Sequence, residues 1–319
     1  MAATAGSVTD SLRESSARPI LLFGGSGQVG HALLASLARM SSVLAPPRSE
    51  ADLADPDSLR RAIRRVNPSA IVNAAALTNV DRAEREPELA RILNEEAPGV
   101  MAEEAARRNT LVVHYSTDYV FDGKTTTPYT ETDRPNPINE YGASKLRGER
   151  AVAAAKCPHL IIRTSWVYSL TGAGFVATFL RDLHERESVR VVSDQVGSPT
   201  WSVSLAQATA AILEALRVDD GFHLHSSDSG LYHVGGSGAA TRVEIAHHIV
   251  SLLQGSPRRR APVVIPISAS EFAATAPRPS YSALANRRAE QRFGVRLPPW
   301  RDDLARMLGV SDVGRIVFC

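Results

Sequence analysis

A tyrosine and a lysine stand four residues apart in the segment YGASKLRGER, which begins at Tyr141. The chain has only three lysines against thirty-three arginines, so a lysine at Lys145 suggests a specific role. On a helix, residues four apart lie on one face, and both side chains can therefore point at one site. A nearby ammonium lowers the pKa of a phenol, which is otherwise about 10. The pair predicts a tunable proton donor, and a surface helix pair is the alternative.

A hydroxyl group is predicted close to this pair. The apolar run LVVHYS (111–116) predicts a buried strand, and Thr117 and Asp118 follow at its end. Ligands bind at the carboxyl edge of parallel sheets, where such a strand would end. We therefore expect Thr117 to hydrogen-bond a substrate carbonyl alongside Tyr141. Asp118 could equally cap the turn that follows.

A glycine-rich loop lies near the start of the chain. GGSGQVG places Gly24, Gly27 and Gly30 between the apolar run PILLF and a pattern with helical apolar spacing. Glycines there permit a tight turn, a close approach of the backbone to a pyrophosphate and close packing of helix on strand. The phosphate would bind the free amides at the start of the helix. The strand–turn–helix context predicts dinucleotide binding.

The residues after the second predicted strand bear on the choice of dinucleotide. The sequence there reads APPRSEADL, with no acidic residue at the strand end where NAD would need one for its ribose. Arg48 can instead accept a 2′-phosphate, which favours NADPH over NADH. In the alternative, Arg48 is a solvated loop cation and Glu50 binds the ribose.

Alternating strands and helices must position these groups. Short apolar runs predict strands at 19–23, 42–45, 70–76, 111–116, 160–168, 189–194, 231–235 and 263–267. Helical spacing predicts helices at 28–40, from Pro56 with Asp55 as its cap, at 80–108 with breaks near Pro87 and Pro98, around YGASK, and at 203–216 and 241–253.

This alternation is typical of a parallel sheet covered by helices on both faces. We expect an α/β fold, a Rossmann-type doubly wound parallel sheet with a smaller C-terminal substrate-binding lobe. Residues 1–17 are predicted to be a disordered tail, 18–168 the dinucleotide-binding domain and 169–319 mainly the substrate-binding lobe. Strands near 189–220 are predicted to return to the first domain.

Composition excludes several classes of protein. The formal net charge of the 319-residue chain is +2, which gives no global case for binding nucleic acid or membrane. No apolar run approaches the ~20 residues that span a bilayer. Cys157 and Cys319 form no framework or metal spacing, which fits a reducing, cytoplasmic location. The run at 258–260 is interpreted as a solvated loop. No metal site is predicted, although four histidines are paired in sequence: His223, His225, His247 and His248.

Taken together, these motifs resemble the dTDP-4-dehydrorhamnose reductases, a family of extended short-chain dehydrogenases/reductases. The resemblance covers about residues 19–305. It rests on GGSGQVG, VNAAALTNVDRAEREPELARILN, HYSTDYVFDG, YGASKLRGE, RTSWVY, DQVGSPT and RPSYSAL. It implies reduction of the C4 keto group of a nucleotide sugar, with Tyr141 as proton donor. The combination is more specific than any single motif.

The resemblance also implies roles for individual residues. Thr117, Tyr141 and Lys145 would form the catalytic triad, and Asn94 would extend a proton relay. Those expected at the dinucleotide, besides Tyr141 and Lys145, are Gly27, Gln28, Val29, Asp52, Leu53, Ala75, Ala76, Leu77 and Thr78. Those expected at the sugar nucleotide are Thr117, Asp118, Trp166 and Arg278. From the residues alone, Trp166 could equally be part of the core.

Two alternatives share the fold. A nucleotide-sugar dehydratase or epimerase is one, but related dehydratases carry Asp-Glu where this chain has Asp118-Tyr119. A non-catalytic regulatory subunit of methionine adenosyltransferase is the other.

One departure from the family pattern is Gly174, where many members have asparagine. Some members form a homodimer through carboxylate-bound Mg²⁺, and no ligand set for Mg²⁺ is assignable here.

Overall fold

The structure is a computed structural model of the chain. It describes residues 18–309, apart from 171, 173, 220, 254–262 and 273. The predicted tail at 1–17 and the arginine run at 258–260 lie outside these residues. No helix of the described part is long and apolar enough to cross a membrane.

The central element is a six-stranded parallel sheet in the order β12-β5-β4-β3-β1-β2. The strands of the described chain are β1 (Ile20–Phe23), β2 (Val43–Leu44), β3 (Ala70–Asn73), β4 (Leu111–Thr117), β5 (His159–Thr164), β6 (Val167–Tyr168), β7 (Ser188–Val192), β8 (Val196–Gly197), β9 (Thr200–Trp201), β10 (Arg217–Val218), β11 (Gly221–Phe222), β12 (Gly230–His233), β13 (Ala240–Thr241) and β14 (Val263–Ile267). Strands β1, β3 and β4 are buried along their whole length. Such continuous apolar runs are what a sheet covered on both faces requires.

Helices cover both faces of the sheet. The helices of the described chain are α1 (Gln28–Leu37), α2 (Pro56–Val66), α3 (Val80–Arg85), α4 (Pro87–Arg91), α5 (Ala97–Ala106), α6 (Glu140–Ala154), α7 (Phe175–Glu185), α8 (Ser202–Ala215), α9 (Arg242–Leu253), α10 (Arg287–Phe293) and α11 (Trp300–Met307). Asp55 caps α2 as predicted, accepting the amides of Asp57 and Ser58. One apolar core lies between the sheet and α1 with α8, and a second lies between the sheet and α2 with α5.

The predicted helix 80–108 is divided into shorter pieces. Glu86, the residue before Pro87, leaves the helical region at φ −125° and ψ 62°, as steric contact with a following proline favours. A π-helical turn covers Ile92–Glu96 before α5. Pro98 lies in the first turn of α5, directly after the π-helical turn, so the α-helix is interrupted near Pro98 although the chain stays helical.

The C-terminal half of the chain contributes to the first domain differently from the prediction. The strand that returns to the central sheet is β12, beyond the predicted 189–220. Strand β7, inside that range, pairs with β14 in a separate two-stranded sheet. Helix α8 does return and packs against α1. The strand predicted at 160–168 ends at Thr164, because Trp166 has a positive φ of 43° and interrupts the extended chain.

Candidate active site

The start of α6 carries the tyrosine and the lysine. Asn139 caps the helix by accepting the amide of Gly142 at 2.8 Å. A Cβ on Gly142 would lie 2.0 Å from the carbonyl oxygen of Tyr119, so only glycine lets the helix approach the turn after β4 this closely. This contact brings the first turn of α6 to the carboxyl edge of the sheet, where Thr117 ends β4.

Tyr141 and Thr117 meet at this edge, as predicted. The Thr117 hydroxyl lies close enough to the Tyr141 phenol to influence its pKa, and the Tyr141 ring lies edge-on to Tyr119 at 5.8 Å between centroids. Burial raises the pKa of Tyr141 above its usual value, while the nearby Thr117 hydroxyl opposes the rise. The expected lowering of this pKa by an adjacent ammonium is therefore wrong for this structure, in which desolvation is the larger effect.

Lys145 points to a partner that sequence reasoning did not identify. Its Nζ atom lies 3.3 Å from Nε2 of His114, and only 2% of the residue is exposed. Burial lowers the pKa of Lys145 to about 8, and the nearby carboxylate of Glu149 opposes this shift. An amine with such a pKa can hold or release a proton near neutrality.

Asp118 is buried and is bonded to the protein itself. Its Oδ2 accepts hydrogen bonds from Ser282 at 2.5 Å and Ser165 at 2.8 Å, and its Oδ1 accepts one from Thr117 at 3.1 Å. Desolvation raises the pKa of Asp118 to about 6, against the opposing effect of these hydroxyls. In this position the carboxylate orients Thr117 and ties the end of β4 to the segment around Ser282.

Asn94 lies in the π-helical turn, and its side chain is hydrogen-bonded both to the loop after β3 and to α6. Its Oδ1 accepts the Leu77 amide at 2.8 Å, and its Nδ2 donates to the Leu77 carbonyl and to Ser144. Asn94 thus fixes the loop 74–78, predicted to line the dinucleotide path, against the helix that carries Tyr141.

The glycine loop has the geometry that its sequence predicts. Gly24 has a φ of 85°, and a Cβ there would lie 2.6 Å from the amide nitrogen of Ala75. A Cβ on Gly30 would lie 1.9 Å from the Gly24 carbonyl oxygen. Helix α1 starts after Gly27 without a side-chain cap and without an acidic residue in its first turn. Its first amides therefore suit an anion such as a dinucleotide pyrophosphate.

Arg48 and Glu50, the two candidate ligands for the ribose end of the dinucleotide, both lie in the loop after β2 and have different partners. Arg48 is 78% exposed in its side chain, and its Nε lies 3.2 Å from Asp52. Glu50 is paired with Arg65 at 2.9 Å. Arg48 thus keeps most of its guanidinium toward solvent, whereas the alternative ribose ligand is already bound to an arginine.

Trp166 and Gln28 connect the glycine loop to the C-terminal lobe. A Cβ on Gly197 would lie 2.4 Å from the Trp166 ring, and the Arg242 guanidinium lies over that ring at 4.3 Å. The Trp166 indole N–H is buried without a partner in the described part of the chain. Gln28 accepts a hydrogen bond from Ser169 at 2.8 Å, and a Cβ on Gly174 would lie 3.5 Å from the Gln28 amide.

Two arginines near Tyr119 differ in their partners. Arg278, predicted at the substrate diphosphate, pairs with Asp81 at 2.8 Å. Arg242 lies near Tyr119, where its charge opposes the rise that burial causes in the Tyr119 pKa, and it has no carboxylate partner among the described residues. Sequence reasoning missed Arg242 because it is one of many arginines and lies in no recognisable motif. Only the fold brings the start of α9 to Trp166.

No metal centre accompanies these groups: across 18–309 with its gaps, no three histidine, cysteine, aspartate or glutamate side chains are grouped to hold an ion. The candidate catalytic side chains, Thr117, Tyr141 and Lys145, lie at the end of β4 and in the first turns of α6. Hydroxyl and amine groups of this kind can exchange a proton with a carbonyl oxygen.

Comparison with known proteins gives consistent matches. The model of the RmlD substrate binding domain matches residues 18–312. The dTDP-4-dehydrorhamnose reductase of Burkholderia thailandensis is 43% identical over 287 residues, covering 88% of this chain and 95% of that protein. The enzyme of the same name from Salmonella typhimurium is 39% identical over 301 residues, covering 91% and 96%. A crystal structure of the Bacillus anthracis reductase in complex with NADP has a TM-score of 0.82 and 31% identity, covering 92% of this chain and 100% of that one.

Proposed function

Because the chain belongs to the RmlD substrate binding domain family, we propose that it reduces the C4 keto group of dTDP-4-dehydro-L-rhamnose to give dTDP-L-rhamnose. The observation that carries this proposal is that Tyr141 lies close to Thr117 at the end of β4, with the buried Lys145 one turn further along the same helix. The family relation supplies the substrate, and these three groups supply the proton chemistry that a ketone reduction needs.

A bound reduced nicotinamide would supply the hydride, and the proposed dinucleotide is NADPH, with NADH as the alternative. Support comes from the uncapped start of α1, the glycine loop and the exposed Arg48, which suits a 2′-phosphate. The Bacillus anthracis relative was crystallised with NADP. A homodimer, a role for Mg²⁺ and a cytoplasmic location stay predictions.

Tyr141 is the proposed general acid, delivering its proton to the oxygen that becomes the C4 hydroxyl. To donate to that oxygen as well, the Thr117 hydroxyl would have to turn away from Asp118, to which it donates in this structure. In its ammonium form, Lys145 would stabilise the phenolate that Tyr141 leaves behind. General acid catalysis of this kind contributes about 100- to 10,000-fold.

Arg242 is the proposed anchor for the substrate diphosphate, in addition to Arg278. Arg278 would have to share its charge with Asp81, whereas Arg242 lies beside Trp166 and Tyr119 without a carboxylate partner in the described chain. A planar guanidinium can bind two phosphate oxygens at once. In this proposal the diphosphate binds beside Trp166 and Tyr119.

The deciding experiment is a turnover assay with dTDP-4-dehydro-L-rhamnose, run separately with NADPH and NADH. We expect product with a preference for NADPH, and Arg48→Ser should reduce that preference about tenfold through lost phosphate contacts. Arg61→Ser, at another exposed arginine that is paired with an aspartate, is the matched control and should leave the ratio unchanged.

Absence of turnover with either dinucleotide would refute the proposed reaction. Elimination of water from dTDP-glucose would instead support the dehydratase alternative, and capture of an adenosyltransferase without reductase turnover would support the regulatory one. The buried, fully hydrogen-bonded Asp118 argues against the dehydratase, because that reaction needs an acid–base pair open to the substrate.

A further inference from the structure

A line of three buried polar side chains runs beneath the proposed active site. Asn73 ends β3, His114 lies in the middle of β4, and Lys145 lies one turn into α6. Nδ2 of Asn73 is 3.1 Å from Nδ1 of His114, and Nε2 of His114 is 3.3 Å from Nζ of Lys145. All three residues are at most 2% exposed, so water does not compete for these contacts.

The direction of each hydrogen bond follows from the first one. The backbone amide of Ala75 can only donate, and it lies 3.1 Å from Oδ1 of Asn73. This fixes the orientation of the Asn73 amide, so its NH₂ group donates to Nδ1 of His114. Burial and the neighbouring Lys145 keep the pKa of His114 well below its usual value, so the ring is neutral. A neutral ring that accepts at Nδ1 carries its proton on Nε2.

The Nε2–H group then faces the nitrogen of Lys145. An ammonium has three donors and no acceptor, so two donors would oppose each other at 3.3 Å. A neutral amine has a lone pair that can accept the Nε2–H bond. We infer that His114, fixed in its Nε2–H form by Asn73, is a positioning residue that sets the protonation state of Lys145.

The charged groups around Lys145 are bound by other partners, so they do not take over the effect of His114 on the Lys145 amine. Glu149, one helical turn further along α6, favours the ammonium, but its two carboxylate oxygens are bound by Arg163 at 2.8 and 2.7 Å and by Ser116. Asp118 at the end of β4 is hydrogen-bonded by three hydroxyls. On the helices packed outside α6, Glu95 pairs with Arg147, and Glu84 accepts the amide of Glu140. Tyr141 shares the helix and is neutral because burial raises its pKa.

The functional consequence rests on the proposed reduction. If the ammonium of Lys145 stabilises the Tyr141 phenolate, activity requires Lys145 to be protonated. Because the folded-state pKa of Lys145 is lowered to about 8, the ammonium is present below that pH and is lost above it. Protonation of Lys145 breaks the hydrogen bond that Nε2–H of His114 donates to the neutral amine. His114 would thereby set the highest pH at which the reaction proceeds at full rate.

The first test needs no variant. Nitrogen NMR of the full-length protein with ¹⁵N-labelled histidine reports which ring nitrogen of His114 carries the proton. We expect the Nε2–H form above pH 8. A proton on Nδ1 would overturn the inference. A second sample with ¹⁵N-labelled lysine reports the titration of Lys145. The two other lysines, Lys124 and Lys156, are exposed and serve as internal references.

The second test changes the form of the ring. In Asn73→Asp the introduced carboxylate accepts from both Ala75 and Nδ1–H of His114, which leaves a lone pair on Nε2 for a Lys145 ammonium. We expect the pKa of Lys145 to rise by about one unit or more. A negative charge also acts through space, so the same substitution is repeated in a His114→Leu background. Loss of most of the rise there supports the inference, whereas an equal rise in both backgrounds overturns it.

The third measurement is the pH dependence of kcat/KM for the wild type and Asn73→Asp. The alkaline limb should move upward by the same amount as the Lys145 titration. If the pKa of Lys145 rises in Asn73→Asp while the alkaline limb of the kcat/KM profile stays at the same pH, the link between Lys145 and catalysis is refuted. Because the NMR tests need no substrate, they remain decisive even if the proposed reaction is wrong.

Discussion

Two arginines on opposite sides of the candidate active site have different surroundings. Arg163, on β5 beneath the sheet edge, is 2% exposed and binds Glu149 through two hydrogen bonds. Arg242, at the start of α9 in the C-terminal lobe, is partly exposed and lies over Trp166 without a carboxylate partner in the described chain. The charge of Arg163 is thus neutralised within the fold. The lobe keeps a positive charge that an anionic substrate can neutralise.

The same contrast appears in the secondary structure. The sheet region is built on one six-stranded parallel sheet, whereas the described strands of the lobe form two-stranded pairs such as β7 with β14. Val263 and Ile265 on β14 are exposed apolar side chains. We expect the sheet side to hold the proposed reacting groups and the lobe to contribute mainly to binding.

Tyr141→Phe tests the sheet side most directly. Removing the hydroxyl near Thr117 should lower kcat by about 100- to 10,000-fold, because the proposed general acid is lost. Binding of NADPH, measured by fluorescence titration, should be retained. Tyr119→Phe is the matched control, since its ring lies beside Tyr141 but its hydroxyl lies near Arg242. It should change KM more than kcat, and the opposite pattern would reverse the roles assigned to the two regions.

Glu149→Gln tests the neutralised charge of the sheet region. The substitution keeps the shape but leaves the Arg163 charge buried without compensation, at a cost of about 3–5 kcal/mol in the free energy of unfolding. Urea unfolding measures this. Arg242→Met, in the lobe, should change stability by less than about 1 kcal/mol. Similar losses for both variants would show that the two arginines do not differ as described.

Arg242→Met tests the binding role of the lobe. We expect KM for the nucleotide sugar to rise about 10- to 100-fold with a smaller change in kcat, because a diphosphate contact made equally in ground and transition states is lost. Arg278→Met should have a smaller effect on KM, since Arg278 is paired with Asp81. Initial-rate kinetics of both variants decide the assignment. A larger effect at Arg278 would restore it as the main diphosphate ligand.

The sequence predicted the elements of the sheet region well, because their signals are local. Apolar runs mark β1, β3 and β4, and the glycines of the first loop mark positions where a Cβ would collide with backbone. The cap of α6 and the spacing of Tyr141 and Lys145 likewise depend on neighbours in sequence. Thr117 and Tyr141 could be brought together on the general rule that parallel strands end at one edge.

The remaining features depend on contacts between distant segments. His114 is an ordinary member of an apolar run until β3 and α6 place Asn73 and Lys145 against it. Burial raised the pKa of Tyr141, whereas spacing alone predicted that a neighbouring ammonium would lower it. The return of β12 to the sheet has no local signal that distinguishes it from β7. Desolvation and long-range pairing were therefore the parts that the sequence could not supply.

Asp118 joins the two regions, and its titration provides the smallest of the expected effects. It accepts hydrogen bonds from Ser165 beside β5 and from Ser282 of the lobe. Its folded-state pKa is raised from 3.8 to about 6, so between these pH values the native state holds a proton that the unfolded chain has released. The stability contributed by this proton is present below about pH 4 and is lost as the pH rises through 6.

The variant Asp118→Asn cannot lose that proton. The difference in unfolding free energy, wild type minus Asp118→Asn, should therefore fall by roughly 1–3 kcal/mol between pH 4 and pH 6. Urea unfolding at a series of pH values measures it. A difference that rises with pH instead would mean that the three hydroxyls stabilise the carboxylate more than burial destabilises it. In that case the contact between the sheet region and the lobe would be held by an ionised group at every pH where the protein works.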